Sequence, residues 1–266
     1  MKNWTDKKSD ILAIPLPEHK SGKYGLIPHS VFINEIEEHL DKKGYKISEE
    51  KYLTDKKGQI LVGNLRLESV GDMEISPAIT FTNSYNKMRK ASVRVTGVVL
   101  ICRNGMMGST EHGSYSRKHI GEKALPDFRK HLELAINGLD EEFARLLKNK
   151  QEMKEIELHK KIVSQLVGDM ILNEELINST QISILKKEIK FSEHFKGNSL
   201  WDFYNHTTEA FKSTHPSFYD KQHVKFHSYI TDKFDLSGSR GLYGEAIEFT
   251  EPIPELVEEV VDDLPY

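Results

Sequence analysis

Seven cationic side chains crowd the stretch from Pro77 to Gly121: Lys87, Arg89, Lys90, Arg94, Arg103, Arg117 and Lys118. One acid, Glu111, stands among them, so the local net charge is +6. Phe81, Tyr85 and Tyr115 are interleaved with these cations. Cations at this density neutralise phosphates and release counterions, and aromatic faces stack bases at ~1–3 kcal/mol each without regard to sequence. The pattern predicts a surface for single-stranded nucleic acid. The seven cations would hold the backbone, and Tyr85, Phe81 and Tyr115 would stack bases. The competing reading is a solvated sheet edge. The far end of the chain has the opposite sign. Residues 245–266 hold Glu245, Glu248, Glu251, Glu255, Glu258, Glu259, Asp262 and Asp263 with no Lys or Arg, a charge of −8. The whole chain carries −4, which leaves +4 for residues 1–244. A basic body with an acidic tail suits a partner made of nucleic acid, and the tail is expected to vie with that polyanion for the groove.

The chain closes on Asp262-Asp263-Leu264-Pro265-Tyr266. This tip resembles that of the single-stranded-DNA-binding proteins of bacteria and phages, commonly Asp-Asp-Asp-Ile/Leu-Pro-Phe, with Tyr in place of Phe. The resemblance implies that these five residues recruit replication or recombination proteins. The aromatic and the α-carboxylate would enter an apolar pocket rimmed by Lys or Arg, with the upstream acids adding attraction. It covers about ten residues and speaks to the tail alone.

Signals for catalysis are weak. There is no Gly-x-x-x-x-Gly-Lys-Ser/Thr loop and no His-Glu-x-x-His, and the glycine-rich run Gly105–Gly113 lacks the lysine a phosphate cradle needs. His223 and His227 are four apart and share a helix face, but no third metal ligand is indicated. His112 and His119 flank the basic loop, where imidazoles suit phosphate as well as metal. Cys102 sits beside Arg103, which favours the thiolate; a buried core thiol is the stronger reading. The carboxylates form no pair that marks a nuclease. We therefore expect no catalytic residue, no metal and no cofactor: a binding protein rather than an enzyme.

Composition sets the frame for these residues. With 38% hydrophobic and 29% charged residues, the chain can bury a core and stay in water. No apolar run reaches 18 residues, the first residues lack the apolar stretch of a signal peptide, and one cysteine excludes an internal disulfide. The expected setting is the cytoplasm (a host's, if phage-encoded), with no membrane partner.

Residues 1–27 read as an irregular arm with a short strand over Ile11–Leu16. A helix follows Pro28, with Phe32, Ile33, Ile36 and Leu40 on one stripe and Gly44 at its end. The period then changes to two. Strands are predicted over Tyr45–Leu53, Ile60–Glu68, Glu74–Asn83 and Ala91–Arg103, with a turn at Asp55-Lys56-Lys57-Gly58. Pro77 points to an edge or a bulge. From Leu125 the chain turns helical, with a seam running from Phe143 through Leu146, Leu166 and Met170. Gly138 divides that stretch. Ser199-Leu200-Trp201-Asp202 resembles a capping box, and Pro216 is expected to end the helix it opens. The aromatic residues from Trp201 to Phe234 are expected mostly in the core.

The predicted class is α+β: a helix plus an antiparallel meander, either closed as an OB-type barrel or open as a curved, annealing-type sheet. A helical region and a disordered acidic tail follow. The predicted division is 1–122 as a β-rich unit with the nucleic-acid surface, 123–235 as a helical region packed on it, and 236–266 as linker and tail. The helical stretch is long enough to mediate homo-oligomers.

Three further motifs carry a second resemblance: Asn83-Ser84-Tyr85, Val98-Val99-Leu100-Ile101-Cys102-Arg103-Asn104-Gly105-Met106, and Ser199-Leu200-Trp201-Asp202-Phe203-Tyr204-Asn205-His206-Thr207-Thr208-Glu209. The body is similar, over roughly residues 24–235, to phage- and plasmid-borne proteins grouped as a domain of unknown function. That resemblance implies a mobile-element setting and no particular chemistry. The leading expectation is a phage-type single-stranded-DNA-binding protein acting in replication or recombination, with strand annealing as a variant. The alternative is a mobile-element protein that binds a host protein, its tail imitating DNA. A nuclease or metal hydrolase ranks third.

Overall fold

The computed structural model describes residues 7–17, 25–68, 72, 74–86, 89–100, 105–107, 114–117 and 124–236, with the backbone alone for 114–117 and 216–217. It begins with a correction. Where the sequence suggests a strand, α1 (Lys8–Leu12) is a short helix. Tertiary contacts override the local signal: Ile11 enters the core, and Lys8 pairs with Glu37 at 2.5 Å and Glu50 at 3.4 Å. α2 (His29–Lys42) buries the predicted stripe of Phe32, Ile33, Ile36 and Leu40. It ends as its glycine requires. Gly44 takes φ +80°, the Gly44 N–H reaches the Asp41 carbonyl, and the Tyr45 N–H reaches that of Leu40, which satisfies two orphan carbonyls of the last turn.

The strands follow as β1 (Ile47–Thr54), β2 (Ile60–Leu67), β3 (Ile75–Ser84) and β4 (Ala91–Val99), each within a few residues of its predicted place. They form an antiparallel meander in chain order. The turn between β1 and β2 uses Gly58 at φ +65°, and Asp55 Oδ1 accepts the N–H groups of Gln59 and Ile60. β5 (Gly105–Met107) and β6 (Ser114–Arg117) both pair with β4, one at each end of it. Among the described strands β1 meets β2 alone, so the sheet stays open rather than closing as a barrel.

Pro77 lies within β3 but just past the end of the β2 ladder, so it pairs with Gly97 of β4 alone and occupies a local edge. The β2 ladder stops at Arg66 opposite Ala78, and the next carbonyl, that of Leu67, accepts the Ser76 hydroxyl at 2.6 Å instead of a peptide N–H. The sheet can therefore hold a proline at this point.

The helical region contains α3 (Ala124–Asn137), α4 (Leu139–Glu155), α5 (Lys160–Leu172), α6 (Ser179–Phe191), α7 (Leu200–Phe211) and α8 (Pro216–Lys233). Gly138 separates α3 from α4, and the predicted capping box opens α7, with Ser199 and Asp202 each bonding the other's backbone N–H. Pro216 begins α8 rather than ending α7, as suits a ring that supplies no N–H in a first turn.

Two apolar cores result. α1, α2 and α3 cover one face of the sheet with Phe32, Ile36, Phe128 and Leu132 against Leu61, Leu65, Ile79, Phe81, Val93 and Val95. This core takes in α3 and so reaches past residue 122. The second core joins α4 to α8 and gathers Trp201, Phe203, Tyr204, Phe211 and Phe226, with Ile75, Val99 and Met106 reaching in from the sheet. Phe218 stands apart, exposed on α8.

Gly63 of β2 faces Phe81 across the strand pair, and a Cβ there would lie 2.1 Å from Phe81 Cζ. The ring cannot retreat, because Phe32 and Tyr52 pack on it. Gly63→Ala is expected to cost about 1–3 kcal/mol by urea unfolding. Gly63→Ala combined with Phe81→Leu should cost less than the sum of the two single changes. Strict additivity would show that the ring does not limit this position.

Candidate anion-binding face of the sheet

Residues opposed across the strands share a face, so the register assigns the sheet's second side. One row runs Leu53, Val62, Thr82, Ser92; the next Lys51, Asn64, Thr80, Arg94; a third Arg66, Ala78, Thr96. This side is polar, yet Thr80, Thr82, Ser92 and Thr96 are buried. Most of its groups are satisfied along the rows. Asn64 Nδ2 donates to Thr80 Oγ1 at 2.8 Å, Thr80 and Thr96 share a hydroxyl bond at 3.1 Å, and Thr96 Oγ1 donates to the Ala78 carbonyl.

Two groups break the pattern. Thr82 Oγ1 and Arg94 Nε are enclosed and have no hydrogen-bond partner among the described residues. They are diagonal cross-strand neighbours, with Cα atoms about 7–8 Å apart by sheet geometry. Arg94 forms no ion pair within 4 Å among the described residues. Burial, above all, pulls its pKa down, Asp220 works against that pull, and Arg89 adds to it. α8 packs alongside, against β2 and β5. From it Asp220, itself buried, pairs with Arg89 of the β3–β4 connection. Around Arg94 the face thus gathers the Arg94 and Arg89 guanidiniums, the Asp220 carboxylate and an unmet hydroxyl, while Lys51 and Arg66 farther along it pair with Glu49.

Further along α8 lie His223 and His227, both buried. His223 Nδ1 meets the Gly105 carbonyl of β5 at 3.0 Å, and its Nε2 is enclosed without a partner among the described residues. His227 Nδ1 meets the Tyr204 hydroxyl at 3.2 Å, while its Nε2 lies 3.4 Å from Asn149 Nδ2. The two rings serve different partners, and no group of three or more His, Cys, Asp or Glu that could hold a metal occurs among the described residues. Burial pushes both pKa values down to about 3; for His227 the Arg145 charge contributes as well.

The sequence-derived site divides accordingly. Arg89, Lys90 and Arg94 come together at the β3–β4 end of the sheet; Lys90 is exposed and Arg89 is engaged by Asp220. Phe81 and Tyr85 require correction. At 1% and 3% exposure they are core residues, with no face open to a base. Phe81 packs among Phe32, Tyr52 and Gly63. Tyr85 stacks on His29 at 3.9 Å and accepts its backbone N–H. Tyr115 and Arg117 pair through β6 with Val93 and Ala91; their side chains lie outside the described residues. So do Lys87, Arg103, Lys118, Cys102, His112 and His119, and the tip Asp262, Asp263, Leu264, Pro265 and Tyr266. Sequence reasoning missed Thr82 and Asp220. The alternation Thr80, Thr82, Ser84 could have disclosed the first, whereas nothing local ties Asp220 to a loop 131 residues earlier.

The fold and this face define an α+β protein with an open antiparallel sheet, helices over its apolar side and a polar side on which Arg94 has no ion pair among the described residues. The chain belongs to the family described as Domain of unknown function (DUF932), whose model matches residues 18–229. No curated protein and no solved structure matches it. Among the described residues no helix is long and apolar enough to cross a membrane.

The histidines give a pH test. In the unfolded chain each takes up a proton near pH 6.5, but in the folded protein only near pH 3. Between those values the unfolded state binds more protons. Their contribution is therefore complete above about pH 6.5 and is lost on acidification, by about 1.4 kcal/mol per pH unit per histidine. His227→Gln should flatten the slope of unfolding free energy between pH 4 and 6 by about one proton, read from urea curves. An unchanged slope would mean that His227 is not held neutral.

Proposed function

We propose that this protein binds single-stranded DNA through the polar side of its sheet, as a non-catalytic component of replication or recombination carried by mobile elements. One observation supports the reading above the others. Arg94 is a half-buried arginine whose enclosed Nε has no hydrogen-bond partner among the described residues, in the middle row of a mostly buried polar face, beside an unmet Thr82 hydroxyl. Leaving a buried charge unpaired is costly, and an anion removes the cost. A phosphate accepts from Arg94, which is partly exposed where the rest of β4 is buried. It also competes with Asp220 for Arg89, while Lys90 meets the adjoining backbone. Because the proposed stackers Phe81 and Tyr85 are core residues, affinity in the described part of the site comes from phosphates. Binding of that kind falls with salt and is indifferent to base sequence. In the same reading, Asp262 to Tyr266 form the tip that engages a replication or recombination protein.

The test is fluorescence anisotropy with labelled oligo(dT), oligo(dA) and a mixed sequence, at 50 and 200 mM salt. Arg94→Gln should weaken binding at least tenfold, and Arg89→Ala with Lys90→Ala should weaken it about equally across the three sequences. Each lost phosphate contact should lower the slope of log affinity against log salt by about 0.7. Wild-type protein that ignores all three oligonucleotides at 50 mM salt would sink the reading.

A further inference from the structure

α6 turns an unusual side to solvent. It buries Gln181 and Leu185 and packs against α7. On its opposite side Lys186, Lys187, Lys190 and Phe191 recur at i, i+1, i+4 and i+5, all exposed, with Phe191 at 73%. Ile189 at 43% borders them. None of the three lysines forms an ion pair among the described residues. On the sheet, by comparison, Arg89 is held by Asp220 and Lys51 and Arg66 both lie 3.4 Å from Glu49, while Arg94 and Lys90 form no ion pair among the described residues. A basic surface with an open aromatic side chain fits an acidic peptide that carries apolar residues of its own.

This chain contains such a peptide. In its last residues acids stand at Glu255, Glu258, Glu259, Asp262 and Asp263, and apolar residues at Leu256, Val257, Val260, Val261 and Leu264. That spacing puts carboxylates on one side of a helix and hydrocarbon on another. We infer that the acidic C-terminal segment of the same molecule docks on the outer face of α6, its carboxylates on Lys186, Lys187 and Lys190 and its apolar residues on Phe191. Reach is sufficient. Residues 237–266 follow Leu236, which lies in the same core as Leu185, and that length of chain spans up to about 100 Å when extended. Tethering makes the encounter intramolecular, at an effective concentration on the order of millimolar. The inference does not rest on the DNA reading, and it moves the tail's resting place from the sheet to α6.

The full-length protein, a 1:1 mixture of nitrogen-14 and nitrogen-15 labelled chains, is treated with a carbodiimide that joins touching amines and carboxylates. Cross-linked peptides are then read by mass spectrometry. Links from Lys186, Lys187 or Lys190 to residues 255–263, within one isotope and at least tenfold fewer in 1 M salt, are the expected result; at that salt the screening length is about 3 Å. Amide exchange across 255–264 should also quicken at least fivefold in the Lys186→Gln/Lys187→Gln/Lys190→Gln variant. Tail links to Lys90 or Lys51 of the sheet, links solely between isotopes, or no tail links at all would each overturn the proposal.

Discussion

Every residue of β3 is buried, so both sides of the sheet must be covered, and the two sides solve that problem differently. On one, hydrocarbon from α1, α2 and α3 meets Ile79, Phe81, Val93 and Val95, and burial itself stabilises the arrangement at about 25 cal/mol per Å². On the other, β3 presents Ser76, Ala78, Thr80, Thr82 and Ser84, and burial stabilises nothing unless each hydroxyl finds an acceptor. Cross-strand bonding supplies most of them. Ser76 reaches the Leu67 carbonyl, Thr80 lies between Asn64 and Thr96, and Ser84 reaches Asn86. Against this satisfied background the unmet groups of Thr82 and Arg94 stand out, because they fall side by side.

The same end of β3 fixes the start of α2. Pro28 has no N–H, and the next donor, that of His29, is taken by the Tyr85 hydroxyl at 2.6 Å. The His29 ring stacks on Tyr85, accepts from Asn83 Nδ2 at 3.0 Å and donates from Nε2 to the Gly58 carbonyl at 3.1 Å. Asn83 also reaches the Ile27 carbonyl. One imidazole thereby ties a helix start, a hairpin turn and the third strand together. The Asn83-Ser84-Tyr85 motif has a structural meaning here: two of its three residues serve this knot, and Tyr85 is withdrawn from any role at the surface.

What could be read from the chain follows from how local each signal is. α2, its glycine stop, the Asp55 turn, four strands and the α7 capping box are set by residues within a few positions of one another, and all fall near their predicted places. α1 is misread because distant residues decide it, Glu37 and Glu50 holding it through Lys8, whereas Pro77 meets its expectation locally, where the β2 ladder stops one residue short of it. The site divides on the same line. Alternation in β4 set Arg94 apart from Val93 and Val95. Alternation alone does not tell which side of a two-sided buried sheet receives Phe81, since both sides exclude water. Phe81 and Tyr85, just ahead of a run of cations, read as base platforms in sequence and are core residues in space.

Charge balance around Arg94 narrows what the face suits. Asp220 pairs with Arg89, and its field reaches Arg94, while Arg89 opposes the Arg94 charge. Around Arg94, among the described residues, two guanidiniums and one carboxylate leave one positive charge unmatched in a place where water screens it poorly. A methionine or leucine at position 94 would fill the row without that burden, since replacing buried charge by apolar side chains is often neutral or stabilising. On the proposed reading, the arginine weakens the empty fold and is matched when an anion arrives. One negative charge completes the set. A phosphodiester within a strand brings one, whereas a terminal monophosphate near pH 7 brings closer to two and would reverse the imbalance. The local electrostatics thus favour the interior of a polynucleotide over its phosphorylated end or a free phosphomonoester.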